Sequence, residues 1–262
     1  MPETSNSLNT VLVQADLRWQ DPVGNREHLS ALMDEADVAD LFVLPETFAT
    51  GFLGDLDGAA ESMAGDTLAW MKAEAIARKA AICGSLALLE DGRRFNRFLF
   101  VDEQGALLGH YDKHHLFGFG GEDQRYTAGV APTVIDWRGW RIDLQICYDL
   151  RFPVWCRNDR DFDLQLFVAN WPSPRVEAWR ALLRARAIEN QAYVIGVNRV
   201  GRDGNETPYP GCSSAWDAMG ACLVELDAQA RSERVELHLD RLRTIRREFP
   251  FQADRDAFEL RP

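Results

Sequence analysis

Three apolar runs of this 262-residue chain lead into a residue that can react. "LFVLPE" ends at Glu46, "LLGHYDKHHL" carries Lys113, and "DLQICYDLRFP" brings Cys147 to the edge of an apolar stretch, just before Tyr148, Asp149 and Arg151. A thiol is only a few per cent thiolate at neutral pH and needs a base or a nearby cation to become a good nucleophile. Glu46 can take its proton. Lys113 can stabilise both the thiolate and an oxyanion that develops after attack. Each residue also has a plainer explanation. A lone cysteine is more often a small buried hydrophobe, Pro45-Glu46 can be a solvated turn, and most lysines sit at the surface. Spacing alone does not bring the three together. Their shared position does point to a joint site, because sites in open α/β sheets form beyond the carboxyl ends of strands.

The elements that must position them alternate along the chain. "TVLVQADL", "LFVLPE", "ICGSLALLE", "RFNRFLFVDEQG" and "LLGHYDKHHL" read as strands. "NREHLSALMDEA" has Leu29, Leu32, Met33 and Ala36 at helical spacing, and "DTLAWMKAEAIARKAA" reads as a helix with Asp66 or Thr67 as N-cap. "TVIDWRGWRIDLQICYDL" predicts a hairpin around Arg138-Gly139, and "DLQLFVANWP" a further buried strand. "VEAWRALLRARAIENQA" is amphipathic, with Val176, Trp179, Leu182, Leu183 and Ala187 on one side. "YVIGVNRVG", "CSSAWDAMGACLVEL" and "SERVELHL" complete the strands, and "LDRLRTIRREFP" is a late helix stopped by Pro250. No linker or low-complexity tract divides the chain. The order predicts two similar α/β halves packed as one domain over 1–262, with a core from about 11 to 239 and a C-terminal helix and tail over 240–262. Helices and strands must each bury an apolar face, so a layered α/β sandwich is expected.

With 41 acidic against 29 basic residues the net charge is −12, which disfavours nucleic acid and anionic membrane surfaces as partners. No stretch approaches the ~18 apolar residues that span a bilayer, and the N-terminus lacks the pattern of a secretory signal. The five cysteines are odd in number and show no C-x-x-C spacing, so neither a disulfide framework nor a zinc site is expected. The reading is a cytoplasmic protein acting on a small molecule, with no cofactor and no metal.

"LFVLPETF" with Glu46, "YDKHHLF" with Lys113 and "ICYDLRFP" with Cys147 resemble, in order, the three signature segments of the nitrilase superfamily of carbon–nitrogen hydrolases. "VANWPSPR" and "LLRARAIENQAYVIGVNRVG" resemble it too, so the likeness runs from about Val11 to about Leu239. "CYDLRFP" followed by "NWP" is most similar to the omega-amidase type, whereas the true nitrilases usually carry Trp-Glu after the cysteine. The resemblance implies an α/β fold in the form of a four-layer αββα sandwich, commonly paired into a homodimer through its helical layer. It implies Glu46 as general base, Lys113 as oxyanion stabiliser and Cys147 as nucleophile, with Glu122 of "FGFGGEDQRYTAG" as a fourth member. The implied reaction is hydrolysis of the terminal carboxamide of a small 2-oxo acid, 2-oxoglutaramate or 2-oxosuccinamate, through a cysteine thioester. The backbone N–H of Tyr148 would join Lys113 in facing the oxyanion. A nitrilase or an N-carbamoyl amide hydrolase on the same fold is the alternative.

A substrate carboxylate needs a cation, and arginine can grip it bidentately. Arg175, just past "NWP", is the first candidate, with a solvated arginine opening the next helix as the other explanation. Arg151 can instead pair with Asp149 behind Cys147, and Arg186 with Glu189 reads as a structural buried pair. Trp171, Phe117 and Phe119 can wall a pocket, although aromatics are more often core. A Cys–His hydrolase would need His28, His110, His114, His115 or His238 beside Cys147. His114 and His115 come closest to the site, next to Lys113. A binding protein that has lost catalysis is the remaining class, disfavoured because Glu46, Lys113, Glu122 and Cys147 are all present.

Overall fold

The computed structural model describes residues 6–36, 39–52 and 60–259. The first half of the chain runs β1 (Ser7–Gln14), α1 (Pro22–Asp34), β2 (Leu41–Val43), α2 (Asp66–Arg78), β3 (Ala81–Glu90), β4 (Arg93–Val101) and β5 (Leu107–Asp112). Then come β6 (Thr133–Trp137), β7 (Trp140–Ile146), β8 (Leu164–Ala169), α3 (Val176–Asn190) and β9 (Tyr193–Asn198). The last part is β10 (Val200–Arg202), β11 (Pro208–Pro210), β12 (Ser214–Trp216), β13 (Cys222–Glu225), β14 (Arg231–His238) and α4 (Leu239–Glu248). Two six-stranded sheets form, in the orders β14-β1-β2-β3-β4-β5 and β13-β12-β9-β8-β7-β6, and β10 and β11 make a separate hairpin.

Period-two alternation builds the layers. In the first sheet Leu8, Leu12, Phe98 and Phe100 join Ile142, Leu144, Leu166 and Val168 of the second sheet in one core. Their neighbours Val11, Val13, Leu99 and Val101 face the other way, onto Leu29, Leu32 and Met33 of α1 and Leu68, Met71 and Ala75 of α2. On the second sheet α3 buries Trp179, Leu183 and Ala187. The result is the expected αββα sandwich. No helix among the described residues is long and apolar enough to cross a membrane.

The hairpin at Arg138-Gly139 forms, with left-handed φ of 50° and 81° at its two turn residues. Two local expectations are corrected. Neither Asp66 nor Thr67 caps α2. Gly65 holds the N-cap position, and the carboxylate of Glu61 accepts the Thr67 N–H at 2.8 Å. "YVIGVNRVG" is two strands rather than one, because the chain leaves the second sheet at Arg199. That side chain is fully buried and donates to the carbonyls of Val200, Leu17 and Arg202. The last strand, β14, returns to pair antiparallel with β1 and completes the first sheet.

Candidate active site

Strand ends set the site. β2 runs parallel to β1 and β3, and the Leu44 N–H still reaches the Cys83 carbonyl at 2.8 Å. Pro45 has no N–H to continue the ladder. Glu46 follows, fully buried, and Thr47 after it takes a left-handed φ of 42° with its N–H held by the Ser85 hydroxyl at 2.9 Å. β5 ends at Asp112, one residue before Lys113. β7 ends at Ile146, and Cys147 opens a tight turn through Arg151 with a φ of 44°. That conformation is costly for a residue with a side chain and persists only where surrounding contacts enforce it. Here the Asp149 carboxylate accepts the Ile146 N–H at 3.1 Å, the Cys156 thiol donates to the Asp149 carbonyl at 3.1 Å, and Arg186 donates to the Leu150 carbonyl at 2.6 Å.

The sequence-predicted residues meet. Lys113 Nζ donates to Glu46 Oε1 at 2.9 Å and to the Glu122 oxygens at 2.8 and 3.1 Å. The Cys147 thiol lies close enough to Glu46, Lys113 and Glu122 to feel the charge of all three. Burial alone would lower the Lys113 ammonium, but Glu122 and Glu46 outweigh it and hold it well above its ordinary value, so it stays charged. Burial pushes the Glu122 carboxyl up, with Lys113 opposing and Glu46 adding. Burial also pushes the Cys147 thiol well up, and Glu46 adds to this against Lys113. The resting group is therefore a thiol rather than a thiolate, and its proton must move as the sulfur attacks. The adjacent carboxylate is the group placed to take it.

Cys147, Glu46 and Lys113 line one end of a pocket of about 220 Å³. Tyr148 lines it as well, and its N–H lies in the first turn of a short helix, where such groups have no intrahelical partner. Arg175 reaches the pocket with its guanidinium 5.2 Å from the Phe117 ring centre, and Trp171 is buried in the wall beside it. Phe119 does not line it. The Phe117 N–H is fixed to Glu122 Oε2 at 2.6 Å, and two residues later the Gly118–Gly120 turn directs the Phe119 ring outward, 91% exposed. Gly120 takes the place at the pocket instead.

Arg151 is a second correction. Asp149 is satisfied by the Tyr111 hydroxyl at 2.8 Å and by the backbone N–H and Nδ1 of His115, each at 2.9 Å. Arg151 is thereby left to stack 4.9 Å over Trp171 and to line the pocket. Arg186 does pair with Glu189 at 2.7 Å, but only the arginine is fully buried. The histidines beside Lys113 point away. His114 Nδ1 lies 2.6 Å from the Gly129 carbonyl with its ring on Trp155, and His115 stacks on Phe152. No histidine lines the pocket among the described residues.

Sequence reasoning missed two groups. Asn96 and Asn170 both donate to Glu46, at 2.8 Å from Asn96 Nδ2 and 2.8 Å from the Asn170 backbone N–H. An asparagine inside the apolar strand "RFNRFLF" was the available signal for the first. The second group is the β10–β11 hairpin, which supplies Asp203, Asn205, Thr207 and Tyr209 to the pocket wall. It is held by Tyr209 donating to Asp203 at 2.9 Å and by Asp203 accepting the Asn205 and Thr207 N–H groups.

A family model for carbon–nitrogen hydrolases matches residues 10–247. The chain is 46% identical to the omega-amidase YafV of Escherichia coli K12 over 255 residues, covering 97% of this chain and 98% of that one. It is 30% identical to the 2-oxoglutaramate amidase of Bacillus subtilis over 243 residues, 91% of this chain and 93% of that one. The crystal structure of XC1258 from Xanthomonas campestris, a CN-hydrolase superfamily protein with an arsenic adduct in its active site, superposes with a TM-score of 0.94 at 48% identity, covering 97% and 99%. With the family model spanning nearly the whole sequence and these relatives matching end to end, the chain belongs to the carbon–nitrogen hydrolase family.

Proposed function

We propose that the protein is an omega-amidase, releasing ammonia from the distal carboxamide of a small 2-oxo acid such as 2-oxoglutaramate or 2-oxosuccinamate. The observation that carries the substrate class is the pair Arg151 and Arg175. Both guanidiniums line the pocket that holds Cys147, both stack on aromatic rings, and neither forms an ion pair among the described residues. A substrate carboxylate supplies the missing charge. Relatives named as an omega-amidase and a 2-oxoglutaramate amidase support the same class.

In this reading Glu46 takes the Cys147 proton as the sulfur attacks the amide carbon. The former carbonyl oxygen, now negative, is held by Lys113 Nζ and the Tyr148 N–H. One such donor contributes on the order of 3 kcal/mol in acyl-transfer sites. Glu46 returns the proton to the leaving nitrogen, ammonia departs, and a thioester remains. Water then adds to the thioester carbon, losing a proton to Glu46, and the tetrahedral adduct collapses to the free acid as the sulfur recovers its proton. Glu122 holds Lys113 and the Phe117 N–H in place rather than exchanging protons with the substrate. Trp171 and Phe117 present the two arginines.

The enzyme is further taken to work as a cytoplasmic homodimer. Ile188 of α3 and the nearby Met219 leave about half of their surface open, at 47% and 49%, on the outer side of the second sheet, which supports pairing through that layer. Sedimentation at micromolar concentration reads the oligomeric state directly, and a monomer would end that part of the proposal.

An ammonia-release panel tests the activity: 2-oxoglutaramate, 2-oxosuccinamate, glutamine, an N-carbamoyl amino acid and a simple nitrile, each with wild type and Cys147→Ala. The 2-oxo amides are expected to lead, with all turnover lost in the variant. Preference for the nitrile or the carbamoyl compound would overturn the substrate class. Turnover surviving Cys147→Ala would overturn the mechanism.

A further inference from the structure

Asn96 sits on β4, between β3 and the edge strand β5 of the first sheet, 1% exposed. Its side-chain nitrogen donates to Glu46 Oε1 at 2.8 Å and to Glu122 Oε1 at 3.2 Å. Those same two oxygens accept from Lys113 Nζ, at 2.9 and 3.1 Å. Four atoms therefore close a ring, with two carboxylate oxygens bridged on one side by an ammonium and on the other by an amide. The Asn96 carbonyl also accepts the Lys113 backbone N–H at 2.9 Å, so the residue that bridges the carboxylates fixes the backbone of the lysine as well.

The arrangement has a cost. Asn96 Oδ1 is buried and has no hydrogen-bond partner among the described residues. A buried acceptor left unmade is unfavourable, and an apolar residue of the same shape would avoid it. Turning the amide over would not help, because its oxygen would then face two carboxylate oxygens. The orientation is thus dictated by the acids, which keep both N–H groups and leave the oxygen unmade.

We propose that Asn96 is a positioning residue that clamps Glu46 and Glu122 together on Lys113 and keeps Glu46 ready to accept the Cys147 proton. The proposal rests on the assignment of Glu46 as base and Cys147 as nucleophile, and not on which amide is the substrate. Donation to a carboxylate favours its charged form. Removing the Asn96 donor makes the carboxylate pair more basic, so the acidic limb of any reaction that needs the base free moves to higher pH. The titratable and charged groups that act on the pair or feel it are Lys113 after β5, Cys147 after β7, Tyr126, on which Arg94 also acts, and Tyr209 of β11. Burial pushes both phenols up, so they stay neutral through the range assayed.

The test is the pH profile of Cys147 alkylation by iodoacetamide, followed by mass spectrometry of the Cys147 peptide, which needs no knowledge of the natural substrate. It is run on wild type, Glu46→Gln, Asn96→Leu and Asn96→Asp, each checked by thermal melting. Asn96→Leu should move the acidic limb up by about one pH unit. It should also cut kcat on the best amide of the panel about tenfold or more with little change in KM. Asn96→Asp keeps the shape and adds a third carboxylate, so it should move the limb the same way if the leucine variant does not fold. A limb left in place in either folded Asn96 variant, with activity falling only in step with stability, overturns the clamp and leaves a structural residue. If Glu46→Gln itself leaves the wild-type profile unchanged, the base assignment falls and the clamp falls with it.

Discussion

At one end of the pocket Glu46, Lys113 and Glu122 answer one another's charge over 2.8 to 3.1 Å, fully buried. At the side walled by Phe117 and Trp171, Arg151 and Arg175 have aromatic faces under them and no carboxylate closing an ion pair among the described residues. The contrast separates two tasks. The reacting end is complete without substrate, so charge developing in the transition state meets dipoles that need not reorganise. The other side holds two guanidiniums with no ion pair among the described residues, and the proposed substrate carboxylate rests on that feature. Damage to the first should appear in kcat and in stability. Damage to the second should appear in KM, and only for charged substrates.

Lys113→Met should have the largest effect. It leaves two buried carboxylates without their cation, and breaking a buried pair in this way costs about 3–5 kcal/mol. Under the proposed mechanism it also removes an oxyanion donor, so kcat should fall at least about 10²–10³-fold. The stability deficit has a sign that can be checked by thermal melting against pH. In the variant the stranded carboxylates are relieved by protonation, whereas in the wild type Lys113 favours the charged form of Glu122. The gap between the two should therefore narrow as pH falls. A gap that stays constant would mean that the carboxylates are already neutral, and the picture of a charge-complete reacting end would break.

Next in size is the recognition side. Arg151→Ala and Arg175→Ala should each raise KM for 2-oxoglutaramate about 10–100-fold, the range for losing a charge-assisted hydrogen bond at about 1.5–3 kcal/mol. Their kcat should change little, and for a short uncharged amide neither parameter should move much. Equal losses on charged and uncharged amides would show that the arginines build the pocket rather than read the substrate.

Between the two regions stands Asp149, which takes the His115 and Ile146 N–H groups and the Tyr111 hydroxyl and so ties the segment after Lys113 to the turn of Cys147. Asp149→Asn keeps the size but turns one acceptor oxygen into a donor facing donors. A melting deficit of about 1–3 kcal/mol is expected, with kcat falling more than KM rises. An unchanged kcat would show that the left-handed turn at Cys147 holds without this brace.

What the sequence made legible follows the same division. Glu46, Lys113 and Cys147 stand where apolar runs break into polar residues, and strand ends are visible in one dimension. Glu122 came through resemblance alone, since a loop carboxylate beside Asp123 carries no signal of its own. Asn170 and Asn96 reach Glu46 across 124 and 50 positions of chain, a separation that no local pattern encodes. The pairing of Arg151 with Asp149 failed for a related reason. Closeness in sequence suggests it, while Tyr111 of β5 and His115 just after that strand fill the carboxylate. The short β10–β11 hairpin was hidden because "YVIGVNRVG" reads as one strand, and only the burial of Arg199 breaks it in two.

The smallest effect belongs to Phe119. By composition it looked like a pocket wall equal to Phe117, two residues away on the same glycine-rich loop. The backbone separates them: Phe117 is drawn in by Glu122 and lies under Arg175, while Phe119 stands in solvent. Phe119→Ala should leave stability within about 0.5 kcal/mol, as for an ordinary surface position, and kcat/KM within about twofold. Phe117→Ala should raise KM for 2-oxoglutaramate several-fold, by removing the face on which Arg175 rests, worth about 0.5–1 kcal/mol even at an exposed site. Measured side by side, the two alanine variants place the boundary of the recognition side. A Phe119 loss as large as that of Phe117 would move the boundary outward, to a loop that closes on the substrate during turnover.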